Sequence, residues 1–346
     1  MWDGTLHAFD GEMVYRGQLR NYVSLRWSEE YQGKGAFSLT VADTERNAKI
    51  LTHGGYLYRT DRKTAMQIVS IVRNEERGII TVSGYTTLNL LARRVILGTY
   101  AVNNIESGIL GMIQSNLRSL PDIELLPPKG FPQTWEVEYA DEEMIPSIVA
   151  LAKEGELGFR MRLDVERKKH IFEVYQGVDR AFTPEGGGLV FSQEFGSMIN
   201  LIVTEDDDIF KNVIYVRGMQ HEDVPVVIMV GDVWGLERRE LIVDGGSQES
   251  EESLEDFHRR LHNMGVTELK DRYRVTNFTA GISTEKFGTK YDLGDKVTCN
   301  ATRYGVRFDT RITAFTQSIE NGVIKISITL GEPTITYMKG ALVRHG

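Results

Sequence analysis

The chain has 346 residues, more than one ordinary hydrophobic core serves, so two to four packed subdomains are expected. Its composition, 41% hydrophobic and 26% charged, argues against wholesale disorder and against membrane residence. A net charge of −9 disfavours a general nucleic-acid binder, whose hold on phosphate needs clustered Lys and Arg, while leaving room for a channel that repels DNA.

Met1 to Asp10 contain Asp3 and lack a basic region followed by an apolar run, so no secretory signal is read there. To about Val95 the sequence reads as strands and turns. Phe37, Leu39 and Val41 alternate with Ala36, Ser38 and Thr40, the period of a half-buried strand. A short helix is expected between Asp43 and Leu51. The runs Met66 to Val72 and Ile79 to Ser83 flank the charged turn Asn74-Glu75-Glu76-Arg77-Gly78 and predict a hairpin.

From Asn103 the period lengthens. Ile105, Ile109, Ile113 and Leu117 recur every four residues, predicting an amphipathic helix with Asn103 as N-cap, ended before Pro121. A loop carrying Pro127, Pro128 and Pro132 leads to a second helix, Glu142 to Lys153, with Ile145, Ile148, Val149 and Ala152 as its apolar face and Asp141 as cap. Period two then returns in Phe159, Met161, Leu163 and Val165. A turn at Glu166 to Lys169 and a partner strand from Ile171 to Tyr175 complete a small α+β subdomain.

Thr183-Pro184-Glu185-Gly186-Gly187-Gly188 reads as a flexible linker. Further strands follow at Ile199 to Val203, Asn212 to Arg217, Val224 to Val230 and Arg239 to Val243. Val224 to Val230 is the most apolar stretch, about a third of the ~20 residues a spanning helix needs, so it is read as a buried strand and no membrane-spanning segment is expected. Ser253 caps an acidic helix with the stripe Leu254, Phe257, Leu261 and Met264, read as an insertion into the sheet. Strands around Lys296 to Asn300, Phe308 to Phe315 and Val323 to Leu330 close the chain, the last two joined at Asn321-Gly322.

The candidates for chemistry each have a plainer reading. His258 and His262, four apart on a helix, suit zinc, but Arg259 and Arg260 stand where a base would follow, and a solvated face fits better. Glu205, Asp206, Asp207 and Asp208 attract a hard cation in principle; on extended chain they point to alternate sides and read as a solvated loop. Gly186-Gly187-Gly188 lacks the Lys-Ser/Thr ending of a phosphate loop. Cys299, the one cysteine, excludes an internal disulfide framework and a Cys-rich zinc site, fits a reducing cytoplasm, and reads as a small buried strand residue with no identifiable His partner. No Gly-x-Ser-x-Gly elbow occurs, although two carboxylates among 49 acidic residues would suffice for glycoside hydrolysis. Asn277-Phe278-Thr279 and Asn300-Ala301-Thr302 match a glycosylation pattern without the secretory signal that would give it meaning. Trp27, Tyr31, Phe37, Tyr56 and Tyr58 form either a sugar platform or, as their strand spacing favours, core and interface packing. No catalytic, cofactor-binding or metal residue is assigned, no cofactor is expected, and no enzyme activity is expected.

Several segments in order carry a resemblance: Tyr22-Val23-Ser24-Leu25-Arg26-Trp27 with Gly35-Ala36-Phe37; Ser83-Gly84-Tyr85 leading to Leu90-Leu91-Ala92-Arg93-Arg94; Gly158-Phe159-Arg160 before Phe172 to Arg180; Val190 to Gly196 leading to Lys211-Asn212; and Tyr291 to Val297 before Arg311-Ile312-Thr313. Over nearly the whole chain this resembles the siphophage and prophage tail-hub (baseplate hub) proteins, related to the N-terminal part of tail-associated lysins and to prophage endopeptidase tail proteins. The fold expected is α+β, predominantly antiparallel β: an N-terminal β-barrel of tube type (1–98), an α+β subdomain (99–182), a second β-barrel (183–247 and 285–346) and a helical insertion in it (248–284). The resemblance implies a homotrimer whose two barrels per chain alternate around a ring and meet a hexameric tube. Its implied partners are a distal tail protein or tail tube, a tape measure protein, and spike, fibre or lysin components, with DNA only as cargo through a central channel. It implies a place at the virion tail tip after synthesis in the host cytoplasm. The chain ends at Gly346, soon after the last barrel, so no appended peptidase, lysozyme or fibre domain is expected. The alternative readings are a cell-wall-active tail protein (a peptidoglycan hydrolase or endopeptidase) and a carbohydrate-binding receptor module.

Overall fold

A computed structural model of the chain describes residues 2, 4–120, 122–192, 194, 197–206, 210–272, 275–282, 287–301, 306–320, 322–331 and 334–337. These form two compact units, Met1–Leu201 with Thr279–Gly346, and Ile202–Phe278. In the first unit the strands are β1 (Leu6–Phe9), β2 (Tyr15–Leu19), β3 (Ser24–Glu30), β4 (Ala36–Ala42), β5 (Tyr56–Arg59), β6 (Thr64–Asn74) and β7 (Ile79–Thr86), with a short helix α1 (Glu45–Ile50) between β4 and β5. Next come β8 (Thr99–Asn104), α2 (Ile105–Asn116), β9 (Ile123–Leu125), β10 (Thr134–Ala140), α3 (Met144–Glu154), β11 (Gly158–Asp164), β12 (Lys169–Tyr175) and β13 (Val190–Ser192). The chain leaves along β14 (Met198–Asp206) and, after the second unit, returns along β18 (Val275–Ile282). It ends in β19 (Lys296–Ala301), β20 (Val306–Glu320), β21 (Val323–Leu330) and β22 (Thr334–Tyr337).

Antiparallel pairing predominates, in the order β21-β20-β3-β4-β7-β6-β5-β1-β2. The expected hairpin between Met66 and Ser83 is present, closed at Asn74↔Ile79. The alternation in Phe37, Leu39 and Val41 is a buried face, and Trp27 pairs with Phe37 across β3 and β4. The long strand β20 pairs with β3 from Ala314↔Glu30 to Glu320↔Ser24, so strands from the two ends of the sequence lie in one sheet.

The α+β part builds its own core. Ile105, Ile109, Met112 and Ile113 of α2 and Met144, Ile148, Leu151 and Ala152 of α3 pack with Phe159 and Phe172 of the β11–β12 hairpin. Asn104, one residue later than expected, caps α2: its Oδ1 accepts from Ser107 N at 2.9 Å. Glu143 occupies the N-cap position of α3 without a side-chain bond; Asp141 instead accepts from Gly98 N at 2.8 Å, because its backbone at φ 54° turns the chain before the helix begins. The expected linker is a closed turn, since Thr183 and Gly187 exchange backbone hydrogen bonds at 2.9 and 3.0 Å, with Gly187 at φ 68°.

The second unit has a sheet of its own. β15 (Val213–Met219) lies between antiparallel β16 (Pro225–Val230) and parallel β17 (Glu240–Ser247), and helix α4 (Leu254–Asp271) covers one face with Phe257 and Leu261 against Ile214 and Val216. These strands and the helix share one apolar cluster. An apolar stripe must be covered, and sequence does not say by which strands. β16 is no buried strand: Val227 and Met229 are exposed. Leu254 and Met264, at the ends of the expected stripe, are exposed too.

In the first unit Tyr31 is fully buried, and a Cβ built on Gly158 or Gly294 would overlap its ring. Gly158→Ala is therefore expected to destabilise by about 2–3 kcal/mol through overpacking. Gly78→Ala, at φ 61° with open space around it, is expected to cost only about 1 kcal/mol. Urea midpoints of the two variants check the contrast. His170 is buried beside Tyr56, its Nδ1 without a protein partner, and burial pushes its imidazole down to about 4 from an ordinary 6.5, against an upward pull from Asp122. Because the folded value lies below the unfolded one, the unfolded chain binds the proton first. Stability is whole above about 6.5 and falls as pH drops towards 4, by about 3 kcal/mol over the window. Melting temperatures across that range should fall in the native chain and fall less in His170→Phe.

Candidate functional site

A dense polar arrangement in the first unit is built from strand ends. Arg59 closes β5, and Arg62 and Lys63 lie in the four-residue turn to β6, where Lys63 takes φ 53° and its carbonyl accepts from Leu163 N of β11 at 2.9 Å. Glu29, next to last in β3, accepts from Trp27 Nε1 at 2.9 Å, Thr64 Oγ1 at 3.0 Å and Arg62 Nε at 3.1 Å. Arg62 Nη2 donates to Asp292 Oδ1 at 3.0 Å. Burial opposes the Arg62 charge, but these two carboxylates outweigh it and hold the guanidinium protonated, above its ordinary value. Arg59 forms a two-point pair with Asp61 at 3.1 and 2.8 Å, donates to Gln317 Oε1 at 2.9 Å and stacks over Trp2 at 4.0 Å. One network thus joins β3, the β5–β6 turn, the loop at Asp292 and β20.

Other buried carboxylates are held just as firmly. Glu106 accepts the backbone N–H groups of Lys129, Gly130 and Phe131 at 2.7, 2.9 and 2.9 Å. Asp295 takes Val178 N, Asp292 N and Arg180 Nε at 2.9, 3.0 and 2.7 Å. Glu173 receives Lys129 Nζ at 2.9 Å, Arg160 Nε at 2.8 Å and Arg162 Nη2 at 3.3 Å. Burial alone would raise the Glu173 carboxyl, but its bonds to Lys129 and Arg160 and the charges of Arg160 and Arg162 keep it below the usual range. Each is a fixed anchor with its lone pairs engaged. General acid–base work needs a carboxyl free to exchange its proton with a reacting group.

The candidates from sequence are scattered. His258 sits 3.0 Å from Gln220 Nε2, His262 is exposed, and among the described residues no group of three His, Cys, Asp or Glu side chains is placed to hold a metal. The side chains of Glu205 and Asp206, and all of Asp207 and Asp208, lie outside the described residues, as do the side chain of Asn277 and all of Thr302 and Asn321. Gly186, Gly187 and Gly188 form the turn already noted. Cys299 is fully buried in β19, and burial together with nearby Asp309 pushes its thiol up to about 12, far from a nucleophile's range. Trp27, Tyr31, Phe37, Tyr56 and Tyr58 are all buried and offer no platform to a sugar. The Arg59–Arg62 network escaped sequence reasoning, because its partners at Glu29, Asp292 and Gln317 have no regular spacing from it.

A different surface stands out in the second unit. The sheet face opposite α4 exposes Val227, Met229 and Ile242, beside Trp234 and the fully exposed Leu236 in the β16–β17 connection. Arg238 crosses this face, donating to Tyr215 Oη at 2.6 Å and stacking on Trp234 at 4.9 Å. For the polar network of the first unit, Glu29→Gln is expected to cost about 2–3 kcal/mol, since it removes one of two counter-charges from a buried arginine. Asp61→Asn, at a partly exposed carboxylate, is expected to cost within about 1 kcal/mol. Denaturant titration of both variants gives the comparison.

The fold has known counterparts. The tail protein from Neisseria meningitidis MC58 superposes with a TM-score of 0.59 at 10% identity, over 95% of this chain and 97% of that one. The 43 kDa tail protein of prophage MuSo2 from Shewanella oneidensis gives 0.62 at 12% identity, over 95% and 98%. Prophage tail protein gp18 from Listeria monocytogenes EGD-e gives 0.55 at 13% identity, over 94% and 93%. No curated protein matches in sequence. Residues 5–105 and 143–332 match the family model described as Siphovirus ReqiPepy6 Gp37-like protein, which spans most of the chain. With both halves of the first unit's sheet and the whole second unit inside the match, the chain belongs to the Siphovirus ReqiPepy6 Gp37-like protein family.

Proposed function

We propose that this chain is a structural subunit of a phage or prophage tail, a tip hub that joins the tail tube to spike, fibre or lysin components. The observation that carries the reading is the end-to-end correspondence of its fold with three tail proteins, each covered over more than nine-tenths of both chains. Membership of a siphovirus family supports it. So does the chemistry of the buried carboxylates, which are committed to structural hydrogen bonds, and the buried state of the aromatic residues that a receptor-binding module would present. Among the described residues no helix is long and apolar enough to cross a membrane.

In this proposal the hub is a homotrimer with two barrel-like halves per chain around a channel that passes DNA. Its neighbours are a distal tail protein or tail tube and a tape measure protein, and it acts at the virion tail tip after synthesis in the host cytoplasm. The net charge of −9 suits a lumen that must not bind the DNA backbone. The exposed apolar face around Trp234 and Leu236 suits a subunit made to be covered by a neighbour.

Light scattering at high concentration is expected to give a trimer or its multiples. Trp234→Ala combined with Leu236→Ser is expected to leave the melting temperature nearly unchanged and to weaken association about tenfold or more. A chain that stays monomeric even when mixed with its tail partners would defeat the hub reading. Zymography on bacterial cell walls is expected to give no clearing; reproducible clearing abolished by one carboxylate substitution would make the protein a cell-wall hydrolase instead.

A further inference from the structure

Beside the polar network a cleft of about 520 Å³ opens in the first unit. Its lining holds five cations, Arg59, Arg62, Lys63, Arg160 and Arg162, against two carboxylates, Asp61 and Asp292. Counting also the groups that pair with the lining, Glu29, Glu173 and Lys129, cations outnumber carboxylates six to four. This local excess stands in a chain whose net charge is −9. It is greatest at Glu173, where Arg160 and Arg162 converge on the same oxygen, Oε1, while Lys129 takes the other. One carboxylate cannot neutralise three cations. Burial and the neighbouring Arg160 charge hold the Arg162 guanidinium below its ordinary value, the environment an incoming anion relieves.

The cations are held in place before any ligand arrives. Arg160 stacks on Tyr175 at 4.2 Å, Arg62 on Phe315 at 4.6 Å and Arg59 on Trp2 at 4.0 Å. Stacking fixes the planar forks, so less side-chain freedom is lost on binding. Arg160 uses Nε on Glu173, and Arg162 reaches that carboxylate with a single terminal nitrogen. Lys63 is exposed at the rim.

The rest of the lining selects among anions. Trp2, Phe287, Phe315, Ile324 and Ile326 give the cleft an apolar side, and its volume exceeds what a single inorganic ion fills. Asp61 and Asp292 would repel a phosphodiester backbone, which carries a charge at every step. A peptide can set neutral residues opposite them. We propose that this cleft binds a peptide segment of mixed acidic and apolar sequence from another protein chain, its carboxylates engaging Arg160, Arg162 and Lys63 and its apolar side chains lying against Phe287, Ile324 and Ile326. The proposal stands on the cleft alone and does not depend on the place of the chain in a tail.

Fluorescence anisotropy on the full chain tests it, with a labelled peptide repeating Glu-Glu-Leu, a control repeating Gln-Gln-Leu, and a labelled thymidine oligonucleotide. The Glu peptide is expected to bind, more weakly as salt rises from about 50 to 300 mM. Lys63→Gln and Arg162→Gln, at partly exposed positions whose melting temperatures verify folding, are each expected to weaken binding about fivefold and together more than tenfold. Failure of the Glu peptide to bind, binding of the Gln peptide with equal strength, or affinity unmoved in both folded variants would overturn the proposal. Tighter binding of the oligonucleotide than of the Glu peptide would overturn it as well and assign the cleft to nucleic acid. If either variant fails to fold, charge reversal at the rim by Lys63→Glu replaces it with the same expected loss.

Discussion

Tyr31 stands where three distant stretches of the chain meet, and the first unit depends on how its ring is held. Gly158 at the start of β11 and Gly294 before β19 leave the space it fills. Its hydroxyl lies 3.1 Å from the carbonyl of Glu156 and 3.3 Å from that of Tyr175, and accepts from Gly177 N at 3.3 Å. Its backbone continues the same junction: Tyr31 N donates to Thr313 O of β20, and Phe159 N donates to Tyr31 O. An N-terminal strand, the α+β part and the C-terminal strands therefore share one buried residue. A ring with close neighbours on every side tolerates neither a larger neighbour nor a void. This contact fixes how the hairpin β11–β12 approaches the sheet, and with it the place of Arg160 and Arg162 beside Arg62.

That dependence explains which features were legible in the sequence. The hairpins β6–β7 and β11–β12, the alternation in β4 and the stripe Ile105-Ile109-Ile113 are all local, and local periodicity is what side-chain direction imprints on sequence. The pairing of β3 with β20 joins residues nearly a chain length apart, and no pattern in either strand names the other. The same limit holds for β15, β16 and β17, whose apolar residues are visible in the sequence while their cover, Phe257 and Leu261 of α4, is not named by any local pattern. Thr183 to Gly188 misled for another reason. Glycines that a linker uses for freedom are used here for a turn, with Gly187 in a left-handed conformation and Gly188 packed against the Ala181 carbonyl. The candidate site was the least legible part, because Glu29, Arg62, Asp292 and Gln317 each look like an ordinary strand or turn residue until the fold gathers them.

The charges follow one rule. Where burial is deep, each carboxylate is given several donors: three backbone N–H groups for Glu106, two and an arginine for Asp295, an indole, a hydroxyl and an arginine for Glu29. Such anchors fix geometry. Glu173 departs from the rule by being oversupplied with cations, and the departure occurs beside the cleft that Arg59, Arg62, Arg160 and Arg162 line. A network that balanced itself would leave no reason for a partner, whereas an excess of charge on a rigid wall does.

The two candidate contact surfaces differ in the physics by which each would hold a partner. A cleft with excess positive charge attracts acidic segments over about a Debye length and loses that attraction as salt rises, so it governs encounter and orientation. The face of Val227, Met229, Ile242, Trp234 and Leu236 exerts no force at range, but the apolar area it hides on contact slows dissociation, which is where most differences in affinity arise. Arg238, laid across Tyr215 and Trp234, keeps that face wettable while it is uncovered and costs little to bury, since its guanidinium already has Glu240 and the Tyr215 hydroxyl as partners. The two surfaces lie on different compact units of the chain, so the residues that build one are not the residues that build the other.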